Sequence, residues 1–252
     1  MTRHRYTFAA VLASAILLSP IAAAPHSPAR SGFRAKPATK SVSTSRDTDA
    51  TLTAQKGKFR DTVAGKEVGS EEFEISSSAG GWLARGNATV KSGNGPETRI
   101  TSQLQLTAAG APVHYEWTTV TGSKKSSASV DFSAGTATIH LQVNGSQPYT
   151  QQFFFKSPNV AILDDNLYYQ YAILAALYDR SARGVQSFSV LIPQELTPGT
   201  ITVEALEPEN SGGKNFNRLR VRSQDLEIIL YLDGNRLEKI AVPSSNAEII
   251  RQ

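Results

Sequence analysis

Histidine is the usual acid, base or metal ligand near neutral pH, and this chain carries four: His4, His26, His114 and His140. The first two lie close to the amino terminus. His114 and His140 each stand between apolar residues of an alternating run, so they point to the face opposite Tyr115 and Leu141. No carboxylate or thiol stands at ligand spacing to complete a metal site, and no nucleophile triad assembles around either ring. Among the carboxylates, Asp164 and Asp165 precede an apolar helical pattern, where such groups satisfy free backbone N–H groups and the positive end of the helix dipole. Glu71, Glu72 and Glu74 run along one strand, Glu72 and Glu74 on one face and Phe73 and Ile75 on the other, which suits a solvated side. A cell-envelope hydrolase or lyase would need Asp164, Asp165, Glu116 and His114 to converge in a polar cleft. Gly65, Gly69 and Gly80-Gly81 lack the spacing and the following helix of a phosphate loop. No metal or cofactor is expected.

Aromatic residues carry more information. Tyr168, Tyr169, Tyr171 and Tyr178 cluster in one segment, with Phe153-Phe154-Phe155 upstream and Tyr115 and Trp117 on a strand. Flat apolar walls with polar tips suit an amphiphile or a sugar. The candidate ligand contacts are Tyr115, Trp117, Tyr168, Tyr171, Leu174 and Tyr178. The same residues would also serve as the core of a single-helix barrel, although tyrosine hydroxyls in a dry core each need a partner.

Composition narrows the field. The 252 residues include 26 Lys and Arg, 22 Asp and Glu, and no cysteine, which excludes disulfides, thiol catalysis, cysteine zinc sites and a lipid-bearing amino-terminal cysteine. Seven of the basic and two of the acidic residues fall within 1–50, leaving 19 basic and 20 acidic side chains in the remainder. A nearly neutral body has no electrostatic footprint for a phosphate backbone, so nucleic acid is rejected as the main partner.

The amino terminus places Arg3 and Arg5 before a charge-free apolar run from Thr7 to Ala24 that ends in Ile21-Ala22-Ala23-Ala24. That is the layout of a secretory signal peptide, with cleavage expected after Ala23. An uncleaved anchor is the alternative, but the run is short for spanning a bilayer and holds Pro20. Residues 24–51 are rich in Pro, Ser, Thr, Ala and Lys/Arg without apolar periodicity, and read as a flexible basic linker that could touch an anionic membrane. A β-rich barrel-like domain is expected over 52–252, and a periplasmic or secreted location follows from the leader.

Eight turn signals then punctuate the chain: Gly80-Gly81, Asn94-Gly95, Ala109-Gly110, Thr121-Gly122, Ala134-Gly135, Asn144-Gly145, Gly212-Gly213 and Asp233-Gly234. Period-two alternation fills the intervals, as in Val113, Tyr115 and Trp117 against His114, Glu116 and Thr118. Even spacing with two-residue turns predicts an up-and-down antiparallel meander. One segment differs: Leu163, Leu167, Tyr171, Leu174 and Tyr178 follow helical spacing, with Asp164 to Asn166 ahead and Arg180, Arg183 and Gly184 behind as cap signals. The expected fold is mainly β: a single curled antiparallel sheet, an open or half barrel of about a dozen strands, with one α-helix packed on its concave side.

This order of elements resembles the periplasmic lipoprotein carrier and outer-membrane lipoprotein receptor proteins, and more closely a group of uncharacterised secreted bacterial proteins related to them. The residues that carry the resemblance are Gly65-Lys66-Glu67-Val68-Gly69-Ser70-Glu71-Glu72-Phe73-Glu74-Ile75, Pro112-Val113-His114-Tyr115-Glu116-Trp117, and Asn159-Val160-Ala161-Ile162-Leu163-Asp164-Asp165-Asn166 leading into Tyr168-Tyr169-Gln170-Tyr171. It spans about 55–250 and implies a hydrophobic cavity for acyl chains. Three functions stand: an exported non-enzymatic binding protein holding a lipid or other amphiphile, the envelope hydrolase or lyase, and a structural envelope protein that assembles through its sheet edges.

Overall fold

The computed structural model describes residues 52–91, 93, 95–157, 160–182 and 184–252, so the expected signal peptide and linker lie outside the described residues, as do Asn94 and Arg183. One sheet of 15 strands makes up almost all of the rest. Its first half is a meander of β1 (Gln55–Val63), β2 (Lys66–Ser78), β3 (Gly81–Val90), β4 (Thr98–Thr107), β5 (Pro112–Thr121), β6 (Lys124–Ser133), β7 (Thr136–Val143) and β8 (Tyr149–Phe154). A crossover follows through β9 (Val160–Ile162) and the helix α1 (Tyr169–Leu177). The second half meanders back through β10 (Gln186–Ile192), β11 (Thr197–Ser211), β12 (Lys214–Arg222), β13 (Glu227–Asp233), β14 (Arg236–Val242) and β15 (Ala247–Arg251).

The strand order is β8-β7-β6-β5-β4-β3-β2-β1-β15-β14-β13-β12-β11-β10-β9, so the two halves meet at the β1/β15 pair and the sheet has free ends at β8 and β9. Every pairing is antiparallel except β9 with β10, which is parallel. Curling brings β9 against β5, and the 3₁₀ turn Pro193–Glu195 against β6. The expected half barrel with a helix on its concave side is the fold observed.

Alternation makes the two faces. Phe73, Ile75, Ala84, Ala88, Ile100, Leu104, Tyr115, Val130, Ile139, Val203, Leu219, Leu230 and Ile249 are buried on the concave side, while the convex side carries cross-strand ion pairs such as Glu204 with Arg220 and Lys58 with Glu72. The helix fits because the strands beneath it leave room. A Cβ on Gly86 would stand 2.6 Å from the Tyr169 ring, so glycine at this strand-interior position marks a close approach of α1 to the sheet.

Three elements differ from expectation. The alternation missed β9 and β15, which are three and five residues long. The helix is also shorter than its apolar spacing predicts, nine residues starting at Tyr169, and Asn166 adopts φ +59°, which interrupts any helix running back toward Leu163. Its carboxy end is Tyr178 in extended conformation, with no basic residue in the last turn, so Arg180 and Gly184 do not cap it. Among the described residues no helix is long and apolar enough to cross a membrane.

Candidate functional site

A buried polar seam crosses the concave face under the helix. Glu71 of β2 belongs, by alternation, with Phe73 and Ile75 rather than with Glu72 and Glu74, and its side chain is fully buried. Its Oε2 accepts hydrogen bonds from the backbone N–H groups of Tyr168 (2.9 Å) and Tyr169 (3.1 Å). The amino end of α1 is thus capped from another strand, not by Asp164 or Asp165 as the local sequence predicts.

Asp164 is instead a core residue. Its Oδ2 accepts from the Tyr115 hydroxyl (2.8 Å), its Oδ1 from the Gln194 N–H (2.8 Å), and its own N–H donates to Gln170 Oε1 (2.5 Å). Gln170 Nε2 donates to Tyr115 Oη (3.3 Å), and Tyr169 Oη shares a hydrogen bond with Ser102 Oγ (3.1 Å). These tertiary partners compete with capping and win because leaving a buried carboxyl without hydrogen-bond partners is costly.

Asp61 of β1 lies opposite Gly69 and completes the seam, with one oxygen close to where a Gly69 Cβ would stand. Asp61 Oδ1 and Glu71 Oε1 are buried without hydrogen-bond partners among the described residues. Burial, with the Glu67 charge adding to it, pushes Asp61 up to about 7. Burial and then the Asp61 charge hold Glu71 well above the usual carboxylate range, against the lowering effect of the Tyr169 and Tyr168 N–H groups. Burial likewise raises Asp164 to about 7, offset in part by Gln194 and Tyr115, and Asp165 to about 6 with help from Glu195. The seam is written in alternation: Asp61 and Glu71 keep step with Phe59, Phe73 and Ile75, a signal that a reading of charge runs passes over.

The residues expected to converge in a hydrolytic cleft do not meet. His114 and Glu116 are on the convex face, where His114 contacts Asp131 (2.7 Å) and Glu116 (3.1 Å), whereas Asp164 is buried on the concave side. Burial lowers the His114 pKa, but the hydrogen bonds to Glu116 and Asp131 outweigh it and raise the pKa overall. His140 is exposed and pairs with Thr150.

The six aromatic and apolar candidates all stand on the concave side or the helix. Tyr115, Trp117, Tyr168, Leu174 and Tyr178 are buried and Tyr171 is partly buried. Tyr115 is held by Asp164, and Tyr178 donates to the Gly184 carbonyl (2.8 Å) while accepting from the Ala205 N–H (3.2 Å). Beside Leu174, an apolar slot between α1, β9 and the β4–β5 hairpin keeps about 10 Å³ of free space, about what one water molecule needs. Trp117 differs from the others because its indole N–H is buried with no partner among the described residues.

Trp117 also begins a row that leaves the core. Cross-strand pairing aligns Trp117, Ala128, Leu141 and Tyr149 side by side on the concave face, from β5 to β8. Exposure rises along it, from buried Trp117 through partly buried Leu141 to Tyr149 at 48%, with Val143 beside it at 39%. Leu141, Val143 and Tyr149 were not among the residues singled out by sequence.

No protein-family model matches the chain, and no curated protein matches it. Among solved structures, it is similar to a crystal structure of a beta-barrel-like protein of the domain of unknown function DUF1849 from Brucella abortus, with 11% identity, TM-score 0.53, and 80% of this chain and 95% of that chain covered. It is also similar to a DUF1089 family protein from Pseudomonas aeruginosa, with 9% identity, TM-score 0.43, and 66% and 86% covered. The first of these likenesses shows the fold, a barrel-like curled sheet shared with a protein of unknown function.

Proposed function

We propose that the chain is an exported, non-enzymatic binding protein of the cell envelope that holds a lipid or other amphiphile against the concave face of its sheet. The observation that carries this reading is the row from Trp117 to Tyr149. Three strand spacings make it about 14 Å long, enough for a stretch of acyl chain. Its middle is low because Ala128 separates the large side chains, and its closed end has an unmet indole donor for a polar head group. Tyr168, Tyr171, Leu174 and Tyr178, with Tyr115, form the packed wall on the helix side. The periplasmic or secreted location rests on the Met1 to Ala24 pattern, and peripheral contact with a membrane on the basic charge of residues 24–51.

A second reading, a structural envelope protein, is favoured by the space of about 10 Å³ beside Leu174, since a slot so small takes no acyl chain without rearrangement. Fluorescence separates the two. The chain has two tryptophans, so Trp82→Phe leaves Trp117 as the sole reporter. Titration with a single-chain phospholipid below its micelle concentration should shift the Trp117 emission saturably, and Tyr149→Ala should weaken the apparent affinity about tenfold with unchanged circular dichroism. A flat titration, together with no adduct in native mass spectrometry, would leave the structural reading.

A further inference from the structure

We infer that the β8 edge is a self-association surface through which two copies of this chain join their sheets. Edge strands present a row of unpaired N–H and C=O groups, and natural sheets protect them with charge, proline, bulges or covering segments. The two ends of this sheet are treated differently. β9 is three residues long, each of them buried, and it lies against β5. β8 has twice that length, reads Tyr149-Thr150-Gln151-Gln152-Phe153-Phe154 without a charge or a proline, and pairs with β7 without a register shift. Among the described residues no strand covers its outer side.

Phe154 is 77% exposed, the highest value among the exposed large apolar side chains of the described residues. It projects on the convex face, opposite Thr136 of β7. That face is dressed with ion pairs on the second half of the sheet, yet β7 and β8 contribute no acidic or basic side chain apart from His140.

A second copy fits this edge better than a charged partner does. A two-fold axis perpendicular to the sheet keeps both concave faces on one side and sets residues of equal parity opposite each other, so the axis passes midway between one residue and its own copy. Centred on Gln152, it places Gln152 against its own copy, where each amide can both donate and accept. The same register sets Phe154 over the partner's Thr150, within the strand pair. A charged edge would repel its copy, and this edge carries no formal charge. Six residues a side make a small interface, which belongs with weak, transient association, so dimers should form at concentrations on the order of micromolar and above.

The absence of cysteine gives a clean test on the full-length chain. Directly opposed residues of an antiparallel pair have Cα atoms about 4.5–5.5 Å apart, within disulfide reach. Gln152→Cys should therefore oxidise to a covalent dimer at least tenfold faster than Ser133→Cys, an exposed control on the same face. In sedimentation, Phe154→Lys should lower the dimer fraction of the otherwise unchanged chain by at least tenfold, with its urea midpoint retained. Equal oxidation rates for the two cysteine variants, or a wild-type chain that remains monomeric at 100 μM, would overturn the inference. Association that survives Phe154→Lys would assign the contact to another part of the chain. Loss of amphiphile binding leaves these outcomes readable, because Gln152 and Phe154 project on the convex face, whereas Tyr149, where the Trp117 row reaches the same strand, projects on the concave one.

Discussion

Asp61 occupies an inward position of β1, two residues from Phe59 and across from Gly69, where alternation ordinarily places an aliphatic side chain. Its carboxyl lies beside that of Glu71, and two like charges in a dry site make ionisation of both unfavourable. The consequence is a stability profile with an unusual slope. Asp61, Asp164 and Asp165 titrate at about 7, about 7 and about 6 in the folded chain, against ordinary values near 4 when unfolded. Between those limits the folded state holds more protons, so their stabilisation is complete below about pH 4 and is lost as pH rises toward 7. Each retained proton contributes a slope of about 1.4 kcal/mol per pH unit. Urea midpoints should therefore change little from pH 8 to pH 7 and rise steadily from pH 7 to pH 5, and Asp61→Asn should remove part of that rise while stabilising the chain at pH 8. A midpoint independent of pH over this window would show that the seam is ionised and solvated.

At the scale of the element, the helix shows most directly what local sequence can and cannot specify. Its nine residues are fewer than an isolated helix needs in water, and it has no side-chain cap of its own. Glu71 supplies the acceptor for two of its first N–H groups, from a strand nearly a hundred residues earlier. Glu71→Ala should destabilise the fold by about 1–3 kcal/mol by leaving buried donors unmet, whereas Glu71→Gln keeps an acceptor and should lose much less. Chemical denaturation of the two variants checks this, and equal losses would refute the cap. The strands of the two meanders were legible because period-two alternation and Gly-containing turns are local signals. β9 and β15 were not, since three to five residues carry too little alternation and their pairing partners are distant in sequence. The helix was legible in kind, from Leu167, Tyr171 and Leu174, but not in extent. Asp164 and Asn166 look like a cap locally, and only the positions of Tyr115 and Gln194 show that Asp164 is engaged elsewhere. The same limit applies to the candidate site: Trp117 and Tyr115 stood out by type, while Tyr149 and Val143 acquire meaning only from the register that lines them up with Trp117.

For the molecule as a whole, the strand order assigns an outsized role to its last strand. β1 and β15 hold the amino-terminal meander to the carboxy-terminal one, so the first and last strands of the described chain close the sheet between them. Without β15, both β1 and β14 become open edges, and the inward row of Asp61, Ile249 and Ile240 loses its continuity. Arg251 adds a clasp: its guanidinium lies 5.1 Å from the Phe73 ring centroid and donates to the carbonyls of Lys56 and Leu237 and to Gln55 Oε1. Such a closure depends on contacts between residues far apart in sequence, which form late and cooperatively. Ile249→Ala, at 1% exposure in the middle of β15, should cost about 2–5 kcal/mol. Removal of residues 247–252 should go further, abolishing the single cooperative unfolding transition and exposing apolar surface to a hydrophobic dye. If the shortened chain still unfolds in one step with a stability within about 1 kcal/mol of the parent, the helix and the β9 crossover hold the halves together unaided, and the β1/β15 pair is a consequence of closure, not its cause.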